Sequence, residues 1–407
     1  MPYGEWTGIA SDIRVRPRRA GHILGSAILE MALPARRGER AVVFSGDLGR
    51  YGAPLLPDPT PIAEADYLLV ESTYGDRRHP AEPAEDQLAG AIARAAERGG
   101  VLLIPAFAVG RTQDVLYLLW RLEESGRIPR TEVYLDSPMA INATDLYCAH
   151  PEEFDGETQA DMRAGRCALA GHSFHTATTP EASRALNAVT GPGIIISASG
   201  MVTGGRILHH MKLRLPDPRS TVLFVGYQAA GTRGRSIRDG AEAVKMFGAW
   251  VPVRAHVEAI DGLSAHADAD GIQRWLGGFQ RPPRRTFIVH GEPQPARALQ
   301  AAIAARRHWD ARVPADGERV TLAWRCRGGR WASERRPRSG PCMVLFGVEC
   351  GGHVPVPVTP GTSGNRRRRD AAKRRPSFRV LRWFPMELAI TGVLAPGLPI
   401  YRRGTIY

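Results

Sequence analysis

Short apolar runs separated by charged and glycine-containing segments make up the first part of this chain. Between residues 12 and 48 these runs are divided by a charged turn, which is typical of β-strands. The next run is apolar throughout and leads into Glu-Ser-Thr-Tyr-Gly, as a strand does when it ends in a loop. The pattern predicts strands at 27–31, 41–44 and 67–70.

Helical and strand patterns alternate from residue 84 onward. An alanine-rich stretch with helical spacing is followed by a short apolar run, and the same order recurs along the chain. Strands that alternate with helices imply a largely parallel α/β sheet. The pattern predicts helices at 84–97, 112–122, 206–213, 269–276 and 296–305, and strands at 101–104, 132–135, 193–198, 221–225, 253–259, 286–289 and 320–323.

The basic charge of the chain is confined to its last part. The net charge is +13, yet residues 1–323 contain 37 basic and 37 acidic residues, so the excess lies in 324–407. Arginine and lysine clusters stand there among Gly, Pro and Ser, a composition that favours a disordered tail. An RNA-binding arm is the alternative. The clusters are Arg366-Arg367-Arg368-Arg369 and Lys373-Arg374-Arg375.

Composition excludes several classes of protein. An uncharged apolar run of about 18 residues, as a membrane span requires, is absent, and the first residues lack the pattern of a secretory signal. We therefore expect a cytoplasmic protein that does not enter membranes. The cysteines are odd in number and form no C-x-x-C pair, which favours free thiols. They are Cys148, Cys167, Cys326, Cys342 and Cys350.

Histidine and acidic residues stand beside small residues at several predicted strand ends. Loops at strand ends can direct such side chains at a metal ion. A two-zinc site needs imidazole nitrogens and carboxylate oxygens at about 2.0 to 2.2 Å, with one carboxylate shared between the metals. His22, Asp47 and His290 supply these atoms. Each alone is weak evidence, because a single histidine after a strand is more often structural.

The order of the motifs is much more specific than any one of them. Gly-His-Ile-Leu-Gly-Ser-Ala, Phe-Ser-Gly-Asp, Glu-Ser-Thr-Tyr-Gly, Leu-Ser-Ala-His-Ala-Asp and Val-His-Gly-Glu follow one another along the chain. In this order they resemble the metallo-β-lactamase-fold RNA nucleases of the β-CASP group. The resemblance covers residues 8–323 and implies an α/β fold, namely an incomplete metallo-β-lactamase αββα sandwich with an inserted β-CASP α/β domain. It implies a partial metallo-β-lactamase domain at 1–74 and 256–323, the β-CASP domain at 75–255, and a basic tail at 324–407.

The resemblance also implies a role for each motif residue. His22 resembles a ligand of the first zinc ion, Asp47 the carboxylate that bridges both, and His290 a ligand of the second. Glu71 matches the acidic residue that pairs with His266, and His266 would protonate the leaving oxygen. With two zinc ions to activate water, the implied reaction is hydrolysis of an RNA phosphodiester, with Glu71, His266 and Asp47 as catalytic residues.

RNA binding is expected from the inserted section. Ser-Ala-Ser-Gly-Met runs from a predicted strand into a glycine turn, where backbone amides can hold a phosphate. Arginines nearby suit contacts to the backbone of single-stranded RNA. Packing is a better explanation than base stacking for Phe107 and Trp120, and His209-His210 and His172-x-x-His175 read as surface side chains. The candidate RNA-binding residues are Arg111, Ser199, Gly200, Met201, Arg233 and Arg235.

One motif of the resembled family is absent from the sequence. A His-x-His-x-Asp-His segment, which would supply further metal ligands, occurs nowhere in the 407 residues. We therefore expect zinc to be held poorly and RNA to be cleaved weakly or not at all. One hypothesis is a ribonuclease that lost an amino-terminal part; the other is a non-catalytic RNA-binding or partner subunit. Hydrolysis of a small ester or lactam fits less well, and the RNA target, the mode of cleavage and homo-oligomer formation stay open.

Overall fold

The computed structural model describes residues 1–10, 12–35, 38–162, 167–322, 345–348 and 388–391. Its strands are β1 (Thr7–Ala10), β2 (Ile13–Arg19), β3 (Ala27–Pro34), β4 (Glu39–Phe44), β5 (Tyr67–Glu71), β6 (Val101–Pro105), β7 (Val133–Leu135), β8 (Phe174–Thr176), β9 (Gly193–Ser197), β10 (Thr221–Phe224), β11 (Ala243–Met246), β12 (Ala249–Pro252), β13 (His256–Ala259), β14 (Arg285–Val289), β15 (Ala311–Arg312), β16 (Arg319–Thr321), β17 (Leu345–Val348) and β18 (Leu388–Thr391).

Five of the α-helices lie close to the positions that the sequence pattern predicts, whereas those at 138–149, 156–162, 180–185 and 233–238 were not predicted. None of the helices in the described ranges is both long and apolar enough to cross a lipid bilayer. The helices are α1 (Ala84–Glu97), α2 (Arg111–Glu124), α3 (Pro138–Ala149), α4 (Gly156–Met162), α5 (Pro180–Ala185), α6 (Ile207–Arg214), α7 (Arg233–Arg238), α8 (Ala269–Leu276) and α9 (Pro293–Arg307).

A seven-stranded sheet carries the predicted metal-binding loops. Its order is β1-β2-β3-β4-β5-β14-β15, antiparallel up to β4 and parallel from β4 onward. Alternate residues of each strand enter two different cores, as the pleat of a strand requires. Val43, Leu68 and Ile288 pack against α8 and α9, whereas Val42, Leu69 and Phe287 belong to the opposite face. Because β4, β5 and β14 are parallel neighbours, their carboxyl ends meet at one edge.

A six-stranded parallel sheet forms the second body of the chain, inserted between β5 and β14. Its order is β13-β10-β6-β9-β7-β8, and strands such as β6 and β9 are buried along their whole length. Apolar cores cover both faces, which explains the continuous apolar runs in the sequence. The predicted α/β fold is thus confirmed. The domain boundary moves, because β13 pairs with β10 rather than with the first sheet to which 256–323 was assigned.

The last described strands form a small antiparallel sheet. β17 pairs with β16 and with β18, so the apolar pieces of the tail are joined to the folded chain rather than isolated. The remainder of the expected tail, including both basic clusters, lies outside the described residues.

Two expectations about single side chains are wrong. Cys148 and Cys167 form a disulfide, because α3 and the segment after α4 bring their Cα atoms to 5.6 Å. The other cysteines lie outside the described residues. His210 is not a surface residue, since it is 1% exposed and its Nε2 lies 2.7 Å from a carboxylate oxygen of the buried Asp136.

Candidate active site

The turn after β2 fixes His22. Gly21 has a φ of +72°, and a Cβ there would lie 2.5 Å from the carbonyl oxygen of Pro57, so only glycine fits. The hydroxyl of Ser26 accepts hydrogen bonds from the amides of His22 and Ile23 at 3.1 and 3.2 Å. A rigid loop of this kind presents the imidazole in one place.

Asp47 and His290 follow β4 and β14, the two strands that flank β5 in the first sheet. His290 has a φ of +50°, a left-handed conformation that is unusual for a residue other than glycine and is typical of functional sites. Its carbonyl oxygen accepts hydrogen bonds from the amide of Ser72 and the hydroxyl of Thr73, both 3.2 Å away. These bonds tie the β14 loop to the β5 loop.

The structure brings the predicted motif residues together. Nε2 of His22 lies 3.7 Å from Oδ2 of Asp47, and Nε2 of His290 lies 3.3 Å from Oδ1 of the same carboxylate. One ligand atom each from His22, Asp47 and His266 lies within 4.8 Å of the others. The ring of His266 is 4.3 Å from that of His22, centroid to centroid. His266, predicted only as a proton donor, thus also lies among the residues that could hold a metal ion.

The donor atoms of this cluster fit a divalent metal ion. Nε2 of His22 and Nε2 of His290 lie within 4 Å of the carboxylate of Asp47, whose Oδ1 is buried and makes no hydrogen bond. A buried polar atom without a partner is unfavourable unless something else binds it. Imidazole nitrogens together with a carboxylate are the donors that zinc and similar cations prefer. The residues present therefore fit such an ion, although they are fewer than two ions require.

Glu71 and His266 form a buried pair beside the cluster. Nδ1 of His266 lies 3.1 Å from a carboxylate oxygen of Glu71, which is 0% exposed and also accepts the amide of Leu48. Burial alone raises the pKa of Glu71, but the charge and hydrogen bond of His266 outweigh it and lower the pKa to about 2. Burial lowers the pKa of His266, but the charge and hydrogen bond of Glu71 raise it by more. The pKa of His266 is therefore raised overall.

His22 and Asp47 lie in environments that disfavour their charged forms. Burial lowers the pKa of His22 to about 3, and the neighbouring His266 adds to the effect. Burial raises the pKa of Asp47, with a further rise from the charge of Glu71. A neutral imidazole is the form that binds a metal ion. His22 is therefore held in its metal-binding form.

Acid should destabilise the metal-free chain through His22. Because the folded pKa of about 3 lies below the value of 6.5 for a free imidazole, the unfolded chain binds more protons between these limits. When the pH is lowered from 6.5 to 4 in the presence of a chelator, the free energy of unfolding of the parent should fall. This fall should be about 3 kcal/mol larger than the fall in His22→Gln. Urea denaturation at several pH values measures this difference. If the free energies of unfolding of the parent and of His22→Gln differed by the same amount at every pH, this prediction would be contradicted.

His79 supports the site, although no sequence pattern marks it for this role. Its Nε2–H donates to the carbonyl oxygen of His266 at 2.8 Å, and its amide donates to Asp268 at 2.9 Å. Asp268 in turn caps α8 by accepting the amide of Gly271 at 2.8 Å. These contacts fix the backbone on which His266 stands.

Arg111 lies close enough to this cluster for its charge to act on His22 and His266. It begins α2, is 7% exposed, and has no hydrogen-bond partner at Nε or Nη1. Asp114 is 3.7 Å away. Burial lowers the pKa of Arg111, and its charge depresses the pKa of both His22 and His266. A cation that is buried, incompletely paired and close to this cluster is suited to an anion such as phosphate.

The other predicted RNA-binding residues are already engaged within the chain. The amides of Val202, Thr203 and Gly204 donate to oxygens of Ser199, so the loop that contains Gly200 and Met201 uses these amides itself. Arg233 and Arg235 lie in the first turn of α7, which is capped by Thr232.

The two arginines of α7 also have partners. Nε of Arg233 donates to the carbonyl oxygen of Lys245 at 2.7 Å, and that of Arg235 donates to Asp239 at 2.6 Å. Their roles in RNA binding stay predictions, and Arg111 carries the stronger argument.

Comparison with known proteins agrees with this arrangement. Residues 112–237 match the family described as the Beta-Casp domain, and residues 250–314 match the family described as the Zn-dependent metallo-hydrolase RNA specificity domain. The chain is 39% identical over 325 residues to ribonuclease TTHA0252 of Thermus thermophilus, which covers 79% of this chain and 70% of that protein.

Archaeal proteins are also similar. The transcription termination factor FttA of Pyrococcus abyssi is 33% identical over 332 residues, covering 79% of this chain and 51% of the factor. An RNase J-like protein of Methanocaldococcus jannaschii is 33% identical over 296 residues, covering 72% of this chain and 67% of that protein. The chain thus spans about half the length of the termination factor that it matches.

Proposed function

This chain belongs to the β-CASP group of metallo-β-lactamase-fold RNA nucleases, and we propose that its cleft holds single-stranded RNA against a zinc site made by His22, Asp47 and His290. The observation that carries the proposal is the convergence of these side chains on one point. His22 and His290 are far apart in sequence, yet both reach the carboxylate of Asp47 within 4 Å.

Glu71 and His266 would move the proton in RNA hydrolysis. Glu71 accepts from Nδ1 of His266, which fixes the ring and favours its protonated form. A protonated imidazole can then donate to the leaving oxygen of the phosphodiester. Zinc, when bound, would lower the pKa of a water molecule and neutralise charge on the phosphate. The chain's own contribution is to hold the ligands, the proton and the RNA backbone in place.

The number of metal ligands among these residues limits this activity. Two zinc ions usually need more protein ligands than these residues provide, and the sequence contains no His-x-His-x-Asp-His segment. We expect the chain as given to bind RNA more effectively than it cleaves it. The alternative function is a non-catalytic RNA-binding or partner subunit.

Metal analysis with RNA assays separates these functions. Zinc content, binding of a labelled single-stranded RNA and its cleavage would be measured on this chain and on a fusion that adds the family's His-x-His-x-Asp-His segment. Cleavage by the fusion, with weak cleavage by the chain, would support the proposed hydrolase. RNA binding without cleavage by either protein would support the non-catalytic subunit. A fusion that binds zinc and hydrolyses a lactam but not RNA would refute the substrate.

Arg111 should contribute one phosphate contact. In Arg111→Met the affinity for single-stranded RNA should fall, and the slope of log affinity against log salt should become shallower by about 0.7. Fluorescence anisotropy at several salt concentrations in chelator measures both. Arg94→Met, which removes an exposed arginine paired with Glu258, is the matched control and should leave the slope unchanged. An unchanged slope in Arg111→Met would show that this cation does not meet phosphate.

A further inference from the structure

Phe107 is more exposed than the sequence predicts. Its side chain, assigned to packing by sequence, is 37% exposed in the loop between β6 and α2. Trp120, assigned in the same way, does pack against the core. In the described part of the chain no other ring contacts Phe107, whereas Trp120 stacks on Tyr117 with centroids 5.9 Å apart. One exposed apolar side chain is ordinary by itself, so its surroundings decide its meaning.

Two glycines form the floor on which the ring rests. A Cβ at Gly200 would lie 3.2 Å from Cδ2 of Phe107, and one at Gly226 would lie 3.4 Å from Cε2. Gln228, which is 2% exposed, donates to the carbonyl oxygens of both glycines at 3.0 and 3.1 Å. This amide holds the ends of β9 and β10 together under one side of the ring. The opposite part of the ring stays in contact with solvent.

The same loop adjoins the metal cluster from both sides. A Cβ at Gly110 would lie 2.6 Å from a side-chain carbon of Ile23, the residue after His22. On the other side Tyr227, the residue after Gly226, donates its hydroxyl to Glu292 at 2.7 Å. The loop that carries Phe107 therefore adjoins the segment that follows His22, and the strand end beneath its ring adjoins the segment that follows His290.

We infer that the exposed part of Phe107 is a stacking platform for one base of the RNA bound in this cleft. Arg111, on the same loop and helix start, offers a buried and incompletely paired guanidinium for the phosphate backbone. An aromatic ring beside a cation is the combination by which proteins bind single-stranded nucleic acid. Because every base has a π-face, this contact should position the RNA with little sequence preference. The inference rests on the proposed function in that RNA is the ligand.

The test uses the full chain in chelator, so that it does not depend on cleavage. Binding of single-stranded RNA oligonucleotides would be measured by anisotropy for the parent, Phe107→Ala, Phe107→Leu and Phe107→Trp. We expect about a 5- to 150-fold loss of affinity for alanine, a similar loss for leucine, and near-parental binding for tryptophan. Val109→Ala is the matched control, because Val109 is 39% exposed in the same loop and cannot stack. It should bind within about twofold of the parent.

A spectroscopic readout separates stacking from packing. RNAs with 2-aminopurine at successive positions should show one position quenched by the parent and by Phe107→Trp, and not by Phe107→Ala or Phe107→Leu. Removing the base at that position should abolish the difference between parent and Phe107→Ala. Parental affinity in Phe107→Leu, or equal losses in Phe107→Ala and Val109→Ala, would overturn the platform while leaving RNA binding intact. Failure of the parent to bind RNA would overturn the proposed function and this inference together.

Discussion

Replacing Asp47 with asparagine is expected to change metal binding and stability in opposite directions. The carboxylate reaches His22 and His290, so its loss removes the ligand that the two imidazoles share. Loss of a residue that only supports a ligand typically weakens metal affinity about 10- to 100-fold, so loss of the shared ligand should exceed the upper figure. The metal-free fold should become more stable, because the raised pKa of Asp47 shows that its environment disfavours the charge.

Thermal unfolding with and without zinc measures both effects. Zinc should raise the midpoint of the parent, since a ligand that binds only the folded state stabilises it. It should leave the midpoint of Asp47→Asn almost unchanged. Asp270→Asn is the control, because its carboxylate is half exposed and pairs with Arg78 at the surface. If Asp47→Asn kept parental zinc affinity, Asp47 would not be a metal ligand.

Replacing Trp275 with alanine is expected to lower the free energy of unfolding by about 3 to 5 kcal/mol. The side chain is 1% exposed between α8 and the first sheet. Its ring meets Phe279 edge to face with centroids 5.4 Å apart, and its Nε1–H donates to the carbonyl oxygen of Thr60 at 3.0 Å. Alanine would leave a cavity and remove the hydrogen bond to the carbonyl oxygen of Thr60, and both changes are destabilising.

Urea denaturation of variants at two tryptophan positions tests this expectation. Trp250→Ala is the matched control, because Trp250 is 70% exposed on β12 and should change stability by no more than about 0.5 kcal/mol. Trp275→Phe keeps much of the apolar contact and should lose less than the alanine variant. Equal effects of Trp275→Ala and Trp250→Ala would mean that α8 does not depend on this ring.

Much of the fold followed from local patterns. The helix predicted at 84–97 is α1 with the same bounds, and the buried apolar runs became β6, β9 and β14. These elements were predictable because a fully buried strand and an amphipathic helix each impose a period on the sequence. Boundaries between domains were less predictable. β13 pairs with β10 and therefore belongs to the inserted sheet. No local sequence pattern reveals with which strand a segment will pair.

The candidate metal ligands were proposed from a different kind of signal. His22, Asp47 and His290 follow strands and stand beside small residues, and the order of the motifs restricted their meaning to one family. Their supporting partners were hidden. His79 holds the backbone of His266 from a distant loop, and nothing in its local sequence marks it. Hydrogen bonds between remote segments depend on how the loops pack, so no spacing of residues in the sequence predicts them.

The sequence by itself determined which chemical groups this protein carries and at which strand ends they stand. Only the tertiary structure decided which of them meet. Parallel pairing of β4, β5 and β14 places their carboxyl ends at one edge, so that Asp47, Glu71 and His290 converge. The same packing left Arg111 buried without a full set of partners and Phe107 exposed, although their residue types suggest the reverse. Burial and pairing are properties of the space between distant segments, and that space exists only once the chain has folded.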